Sequence, residues 1–158
     1  MSLLNSVKVK EWLVNDLPAV IAEGEKLSAE KKASKLKFTE RLSDCRSCNV
    51  FLASGALHFW EGSIQDLDKE TGGLPEHVII NRSPCRLNAP SFVTVTPRVA
   101  SCIPFISRNT EELKREFANL KYTLVDQWTI SDKTFDPALF PDHHSPYLGF
   151  YFRKTASA

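Results

Sequence analysis

The chain has 158 residues, and its 20 Lys and Arg against 19 Asp and Glu give a formal net charge of +1. The length is that of one ordinary domain, and 42% hydrophobic with 25% charged residues excludes a disordered chain. The even charge excludes a strongly basic domain for polyanions. The sequence has no run of 18 apolar residues, and its four cysteines are few for a disulfide scaffold. We therefore expect one domain over residues 1–158, without a membrane span, in the cytoplasm or in a virus particle.

The N-terminal third is predicted to be helical. Pro18 suits the first turn of a helix, and apolar residues around it recur at helical spacing. Gly24 is expected to end this helix, and a shorter helix is expected before Asn15. The stretch 25–41 is rich in Lys, Glu and Ala and is predicted to form a further helix, whose end is ambiguous because Leu36, Phe38 and Glu40 also alternate as in a strand.

From Cys48 onward the pattern favours a mostly antiparallel sheet. Alternating or continuous apolar runs predict strands at 49–53, 56–61, 77–81, 91–96, 99–107, 122–130 and 147–154. Ser54-Gly55 is predicted to be the hairpin turn between the first two. Asn109 is predicted to cap a helix from Thr110 to Leu120. The predicted fold class is α+β, with N-terminal helices, a sheet of about five to seven strands, and one late helix (110–120) packed on it.

The segment 45–48, Cys-Arg-Ser-Cys, has the spacing of a metal-binding or redox pair. A tetrahedral zinc site needs two further ligands, and Cys85 and Cys102 lie far apart in sequence. His58 or His77 would complete a site only if the fold brought them there. A thioredoxin-like pair begins a helix, whereas this pair precedes a predicted strand. We therefore predict no metal and no cofactor.

Two regions supply weak candidates for catalysis. Asp142, His143 and His144 follow one another in a Pro-rich loop, which can aim a general acid or base at a substrate. Asp126 interrupts the apolar row of a predicted strand, where a carboxylate is costly unless it is paired. That face is either not uniformly buried, or Arg153 pairs with the acid, or the acid lies in a pocket with a raised pKa.

A local excess of positive charge follows the first helix. Lys31, Lys32, Lys35 and Lys37 fall within one short stretch of the sequence. Such a stretch can lie along phosphates, which makes nucleic acid a candidate partner. Such a stretch is more often a solvated helix face.

The last predicted strand is apolar on both faces, so both faces should be covered. It is either central in the sheet or completed by another chain. The side chains expected at such an interface are Tyr147, Phe150, Tyr151 and Phe152.

The sequence contains no Walker loop, G-x-G-x-x-G or other catalytic signature. The order of its elements occurs in many small α+β domains, including assembly proteins of tailed-phage particles, which is an analogy of fold alone. The leading hypothesis is a non-catalytic binding or assembly module acting through protein–protein contacts or self-association. The alternative is a small hydrolase or transferase with a His/Asp site, and the third is a nucleic-acid-associated module.

Overall fold

The computed structural model describes residues 8–98, 101–137 and 144–155. The chain divides into an N-terminal unit, Met1–Ser47, and a C-terminal unit, Cys48–Ala158. Within the described ranges, no helix is long and apolar enough to cross a membrane. The predicted α+β class is confirmed, with a small parallel sheet in the first unit and a mixed, mostly antiparallel sheet in the second.

The N-terminal unit is a strand–helix–strand motif. Strand β1 (Trp12–Asn15) leads into helix α1 (Pro18–Glu30) and returns in strand β2 (Leu36–Thr39), which lies parallel to β1. A 3₁₀ turn follows at Leu42–Ser47. The predicted helix before Asn15 was wrong, and the helix predicted for 25–41 ends at Glu30. The apolar residues of each strand pair with the facing strand, and this tertiary pairing overrides local helical preference.

Gly24 was predicted to end the first helix, and this was wrong because it lies inside α1. A Cβ atom at this position would lie 2.5 Å from a ring carbon of Phe38 in β2. The glycine therefore lets helix and strand approach closely, which explains a residue that otherwise weakens a helix interior. Pro18 occupies the first turn of α1, as predicted.

The C-terminal unit is built around one six-stranded sheet. Its elements are β3 (Val50–Ser54), a 3₁₀ turn (Leu57–Phe59), α2 (Ile64–Glu70), β4 (His77–Arg86), β5 (Phe92–Arg98), β6 (Ser101–Asn109), α3 (Thr110–Asn119), β7 (Tyr122–Phe135) and β8 (Ser145–Lys154). The strand order is β5-β6-β4-β8-β7, with β3 also paired to β4. The predicted hairpin at Ser54-Gly55 was wrong, because β3 pairs in parallel with β4 and not with the segment that follows the turn. Most of the predicted second hairpin strand is the 3₁₀ turn.

Strand β8 is central, because it pairs with β4 on one side and β7 on the other. Phe150 is fully buried and Phe152 is 1% exposed. Phe117 of α3 stacks on Phe152 with ring centroids 4.0 Å apart. Fully burying each such side chain stabilises the fold by about 1.5–3 kcal/mol. The chain's own helix therefore covers this face of the strand.

A bulge in β7 changes which face its side chains occupy. Leu124 pairs with Phe152, but the next pair joins Asp126 to Tyr151, so one residue of β7 is extra. Beyond the bulge, Trp128 lies opposite Gly149. The row that alternates in the sequence is thus divided between two faces of the sheet.

The cap predicted for α3 is confirmed. The side-chain oxygen of Asn109 accepts hydrogen bonds from the amides of Glu111 and Glu112, at 3.0 and 2.9 Å. The Glu112 carboxylate accepts from the Ser91 hydroxyl at 2.6 Å, and the same hydroxyl accepts from the Asn109 amide. The start of α3 is thereby joined to the segment that precedes β5.

Candidate active site

The candidate site begins where β3 ends. Gly55 follows the strand with φ of +68°, a left-handed conformation that suits glycine, and its amide donates to the Asn81 carbonyl at 2.8 Å. The chain then turns through the 3₁₀ segment Leu57–Phe59. In sheets with parallel strands, ligands bind beyond the carboxyl ends of those strands. The turn after β3 is therefore a natural wall for a site.

A cavity of about 250 Å³ lies at this point of the C-terminal unit. Aromatic rings and two cationic side chains dominate its walls. The lining residues are Gly55, His58, Phe59, Arg82, Ile103, Phe105, Lys133, Phe135 and Tyr147. They come from the turn after β3 and from strands β4, β6, β7 and β8, so the cavity depends on the tertiary fold rather than on one local motif.

The rings of the cavity pack against one another. His58 lies 4.1 Å from Phe59 and 4.8 Å from Phe105, measured between ring centroids. Phe105 in turn lies 4.5 Å from Phe135. The Tyr147 ring meets His58 edge-on at 6.4 Å. These tilted and edge-on arrangements are those that aromatic quadrupoles prefer, and they make a rigid wall for a flat ligand.

His58 is the buried polar group of the cavity. It is 5% exposed, and its Nδ1 has no hydrogen-bond partner among the described residues. Burial, with a smaller contribution from the charge of Lys133, lowers the pKa of His58 to about 4. The imidazole is therefore neutral near pH 7. A buried nitrogen without a partner is costly in a folded protein and marks a place where a ligand can bind.

Arg82 reaches the cavity from an irregular point of β4. Its φ is +53°, and it lies where the pairing of β4 with β8 shifts register, between Ile80 and Ser83. A non-glycine residue in this conformation is uncommon and costs about 1–3 kcal/mol, and such residues cluster at functional sites. The bulge redirects the Arg82 side chain relative to a regular strand.

The second cation, Lys133, lies close to the same rings. Its amino nitrogen is 5.1 Å from the centroid of the Tyr147 ring, which is the range of a cation–π contact. Burial raises the pKa of the Tyr147 hydroxyl, and the positive charge of Arg82 partly opposes this. Both cations thus act on groups inside the cavity.

Arg108 supports the turn that carries His58. Its guanidinium donates to the carbonyl oxygens of Trp60 and Gly62, at 2.6 and 2.8 Å. Burial lowers the pKa of Arg108. These bonds connect β6 to the backbone just beyond His58, so they fix the position of the turn without contacting the cavity.

A larger depression, about 550 Å³, lies in the N-terminal unit beside α1 and β2. It is more open to solvent, and its charged residues, including Glu25, Lys32 and Lys37, are exposed. It has neither the ring cluster nor a buried unpartnered polar group. We therefore place the candidate site in the cavity around His58.

The catalytic candidates from the sequence do not line this cavity in the described part of the chain. Asp126 is exposed and accepts a hydrogen bond from the Gln127 amide, so its face is not uniformly buried, and Arg153 instead pairs with Glu76. His144 is exposed and forms an ion pair with Asp136. The hydrogen bond from Thr134, with a smaller contribution from His144, lowers the pKa of the Asp136 carboxyl.

Asp142 and His143 lie outside the described residues, and a role for them stays a prediction. The predicted interface residues have partners within this chain. Tyr147, Phe150 and Phe152 are buried, and the half-buried Tyr151 hydroxyl lies 2.8 Å from the Nδ1 of His77.

Among the described residues, the lysines of the basic stretch do not lie along one helix face, and the cysteine pair is not part of a group of metal-ligating side chains. Lys31, Lys32, Lys35 and Lys37 are exposed and lie in the turn after α1 and in β2, not along one helix face. Nucleic acid as a partner stays a prediction. Cys48 is a free thiol, and no group of three metal-ligating side chains occurs among the described residues.

Sequence reasoning did not predict that His58, Arg82 and Lys133 line one cavity. His58 was weighed only as a zinc ligand. The available signal was a histidine followed by two aromatic residues, in Leu-His-Phe-Trp, shortly after an apolar strand and a glycine. Arg82 and Lys133 carry no sequence signal, because a bulge and strand pairing bring them to the cavity.

The fold resembles that of solved methyltransferase structures. A structure assigned as an S-adenosylmethionine-dependent methyltransferase from Listeria monocytogenes matches with a TM-score of 0.61 and 12% identity, over 93% of this chain and 81% of that one. The 1,6-didemethyltoxoflavin-N1-methyltransferase of Burkholderia thailandensis, solved with bound 1,6-didemethyltoxoflavin and S-adenosylhomocysteine, matches with a TM-score of 0.57 and 16% identity. That match covers 85% of this chain and 57% of the Burkholderia chain. No protein-family model matches the sequence, and a search of curated proteins finds no relative.

These matches overturn the leading hypothesis of a non-catalytic assembly module. A methyltransferase-like fold extends over most of the chain, which favours the alternative that named a transferase. The reason for the error is the last strand, whose two apolar faces suggested another chain. In the structure β8 is central in its own sheet, and α3 covers the Phe152 face.

The cofactor that this fold implies, S-adenosylmethionine, needs a test against the residues present. Nucleoside cofactors in doubly wound folds lie on a glycine-rich turn, and an acid at the end of the next strand binds the ribose. Glu40, just after β2, lies at the position of the acid, whereas the turn between β1 and α1 consists of Asp16 and Leu17 and has no glycine. The glycines do not match the turn: Gly24, Gly62 and Gly149 face aromatic rings, Gly72 and Gly73 end α2, and Gly55 borders the cavity. The glycine-rich turn of that rule is therefore not present among the described residues, and no residue is assigned to the cofactor.

Proposed function

We propose that the chain acts as a transferase of the methyltransferase type, and that the cavity around His58 holds the acceptor. One observation carries the proposal. Within a fold like that of methyltransferases, a buried imidazole without a partner for Nδ1 lies in an aromatic cavity at the carboxyl end of a parallel strand. This is where the fold rule for ligands expects a site.

The walls of the cavity suit group transfer to a small ring. Packed aromatic side chains exclude water, which would otherwise compete with the acceptor for the transferred group. Phe105 and His58 offer faces and edges on which a flat acceptor stacks in one orientation. Holding the acceptor in one orientation reduces the entropic part of the barrier.

His58 orients the acceptor more than it removes the acceptor's proton. With a pKa near 4 the imidazole is neutral at pH 7, so it offers the acceptor one nitrogen that donates and one that accepts a hydrogen bond. A general base works best when its pKa lies near the operating pH, and this one lies well below. The activating charge must therefore come from other groups in the cavity.

The test is a transfer assay with the 158-residue chain. The chain is incubated with methyl-labelled S-adenosylmethionine and a panel of small phenols, aromatic acids and aromatic amines, and label in each acceptor is measured. We expect labelled product from at least one acceptor class. Ile103→Trp, which fills the cavity from β6, should reduce transfer at least about tenfold, since misplacement of an acceptor by 1 Å can cost that much or more.

Val93→Trp is the matched control. Val93 lies on the neighbouring strand β5, is 66% exposed and does not line the cavity, so this variant should transfer label like the parent. Circular dichroism of both variants checks that they are folded. The proposal is wrong if no acceptor is labelled, or if the two tryptophan variants lose activity equally.

A further inference from the structure

We propose that the ligand of the cavity is a small aromatic oxyanion, a phenolate or carboxylate on a single ring, held between the His58–Phe105 wall and the cations Arg82 and Lys133. The inference rests on the proposed function for the ligand's role as an acceptor. The binding itself needs no methyl donor, so it can be measured separately.

The charge of the cavity supports an anion. Arg82 and Lys133 both line it, and no aspartate or glutamate is among the described lining residues. Neither cation takes part in any salt bridge between described residues. Their charges also reach the cavity's polar groups, since Arg82 acts on the Tyr147 hydroxyl and Lys133 on His58. Arg82 is half-buried and Lys133 is exposed, so a bound oxyanion would form a charge-assisted contact with one partly desolvated cation and one solvated cation.

The shape of the cavity supports a ring. Phe105 lies between His58 and Phe135, at 4.8 and 4.5 Å between centroids, and together they form a continuous aromatic surface. Phe59 is 42% exposed at the same place, so part of its ring is open to a ligand in the cavity. The volume, about 250 Å³, lies just below the range of about 300–1,000 Å³ that suits drug-sized ligands, so one ring fits better than several.

The neutral His58 complements this arrangement. In the tautomer that carries its proton on Nδ1, the imidazole donates a hydrogen bond to the oxyanion while the two cations balance its charge. A phenol that binds in this way loses its proton to solvent, and the cations stabilise the phenolate left behind. A phenolate is a far better nucleophile than a phenol, so this ionisation supplies the activation that the weakly basic His58 does not.

The test is a titration of the chain with 4-nitrophenol, without methyl donor. The visible absorption of the nitrophenolate reports the ionisation of the bound probe directly. We expect the bound probe to ionise about one pH unit below the free probe, since a nearby opposite charge lowers an acid's pKa by about that much or more. Benzoate should displace the bound probe, whereas neutral benzamide should not. The relative affinities of nitrophenolate and benzoate show whether the site prefers a phenolate or a carboxylate.

Charge-removing variants test the two cations. Arg82→Gln and Lys133→Gln should each weaken nitrophenolate binding about 5–20-fold and leave binding of neutral nitrobenzene unchanged. Arg115→Gln is the matched control, because Arg115 is exposed on α3 and does not line the cavity. It should bind both probes like the parent.

Two results would overturn the inference. One is equal affinity for nitrophenolate and nitrobenzene in the parent chain. The other is an Arg82→Gln variant that binds nitrophenolate as tightly as Arg115→Gln does. Anion binding without any methyl transfer would contradict the proposed function alone. Methyl transfer to neutral rings without a preference for anions would contradict this inference alone.

Discussion

Gly149→Ala tests the pairing of β7 with β8, on which the cavity depends. A Cβ atom at Gly149 would lie 2.0 Å from Cε2 of Trp128, so the indole must move. Moving it costs about 1–3 kcal/mol as overpacking and breaks the hydrogen bond from the indole nitrogen to Asn81, 3.1 Å long and worth about 1 kcal/mol. Replacing glycine in a strand returns about 0.5–1 kcal/mol. The expected net loss in the free energy of unfolding is about 2 kcal/mol.

The assay is urea unfolding followed by circular dichroism, in a double-mutant cycle with Trp128→Ala. Without the indole, the new methyl group meets no obstacle, and Gly149→Ala should be neutral or slightly stabilising. Gly55→Ala is the control, because its added Cβ meets nothing within 4 Å and its cost comes from a φ of +68° alone. That cost should be the same with and without Trp128. If Gly149→Ala costs equally in both backgrounds, Trp128 does not lie over Gly149 and the register is wrong.

Two further predictions concern stability. Burial holds the pKa of His58 near 4 against an ordinary 6.5, so the neutral form is favoured in the folded state. The contribution of His58 to the free energy of unfolding is present above pH 6.5 and is lost as the pH falls towards 4. His58→Phe should reduce this change in the free energy of unfolding with pH by on the order of 2 kcal/mol, a figure already lowered for solvent screening. Urea unfolding at several pH values measures it, and an unchanged dependence on pH would contradict the burial argument. Asn109→Ala should cost about 1 kcal/mol by leaving two amides of α3 uncapped, and a thermal midpoint equal to that of the exposed control Asn119→Ala would disprove the cap.

Local chemistry made part of the fold predictable. Pro18 at a helix start and Asn109 as a cap act within one turn of chain, so the sequence alone identifies them. The prediction for Gly24 was wrong because the residue that requires a glycine there, Phe38, lies in β2 and not in the same helix. The bulge at Asp126 could not be predicted either, since it exists only in the pairing with β8. It moved an apparently buried carboxylate into solvent.

The candidate site was less predictable than the fold because its residues come from five separate segments. His58 lies in a turn for which the sequence pattern predicted a strand. The position of Arg82 depends on an irregular backbone conformation that no residue type in this segment predicts. Lys133 lies in the extension of β7 beyond the predicted strand end. Only the pairing of the strands brings His58, Arg82 and Lys133 together, so their spacing in the sequence does not predict the site.

A crystal structure of the chain with 4-nitrophenol, at a pH where the bound probe is ionised, tests the central claim most directly. The account predicts one ring against His58 and Phe105, with its phenolate oxygen towards Arg82 and Lys133. A ring bound in the depression beside α1, or a ring in the cavity with its oxygen turned away from both cations, would contradict it.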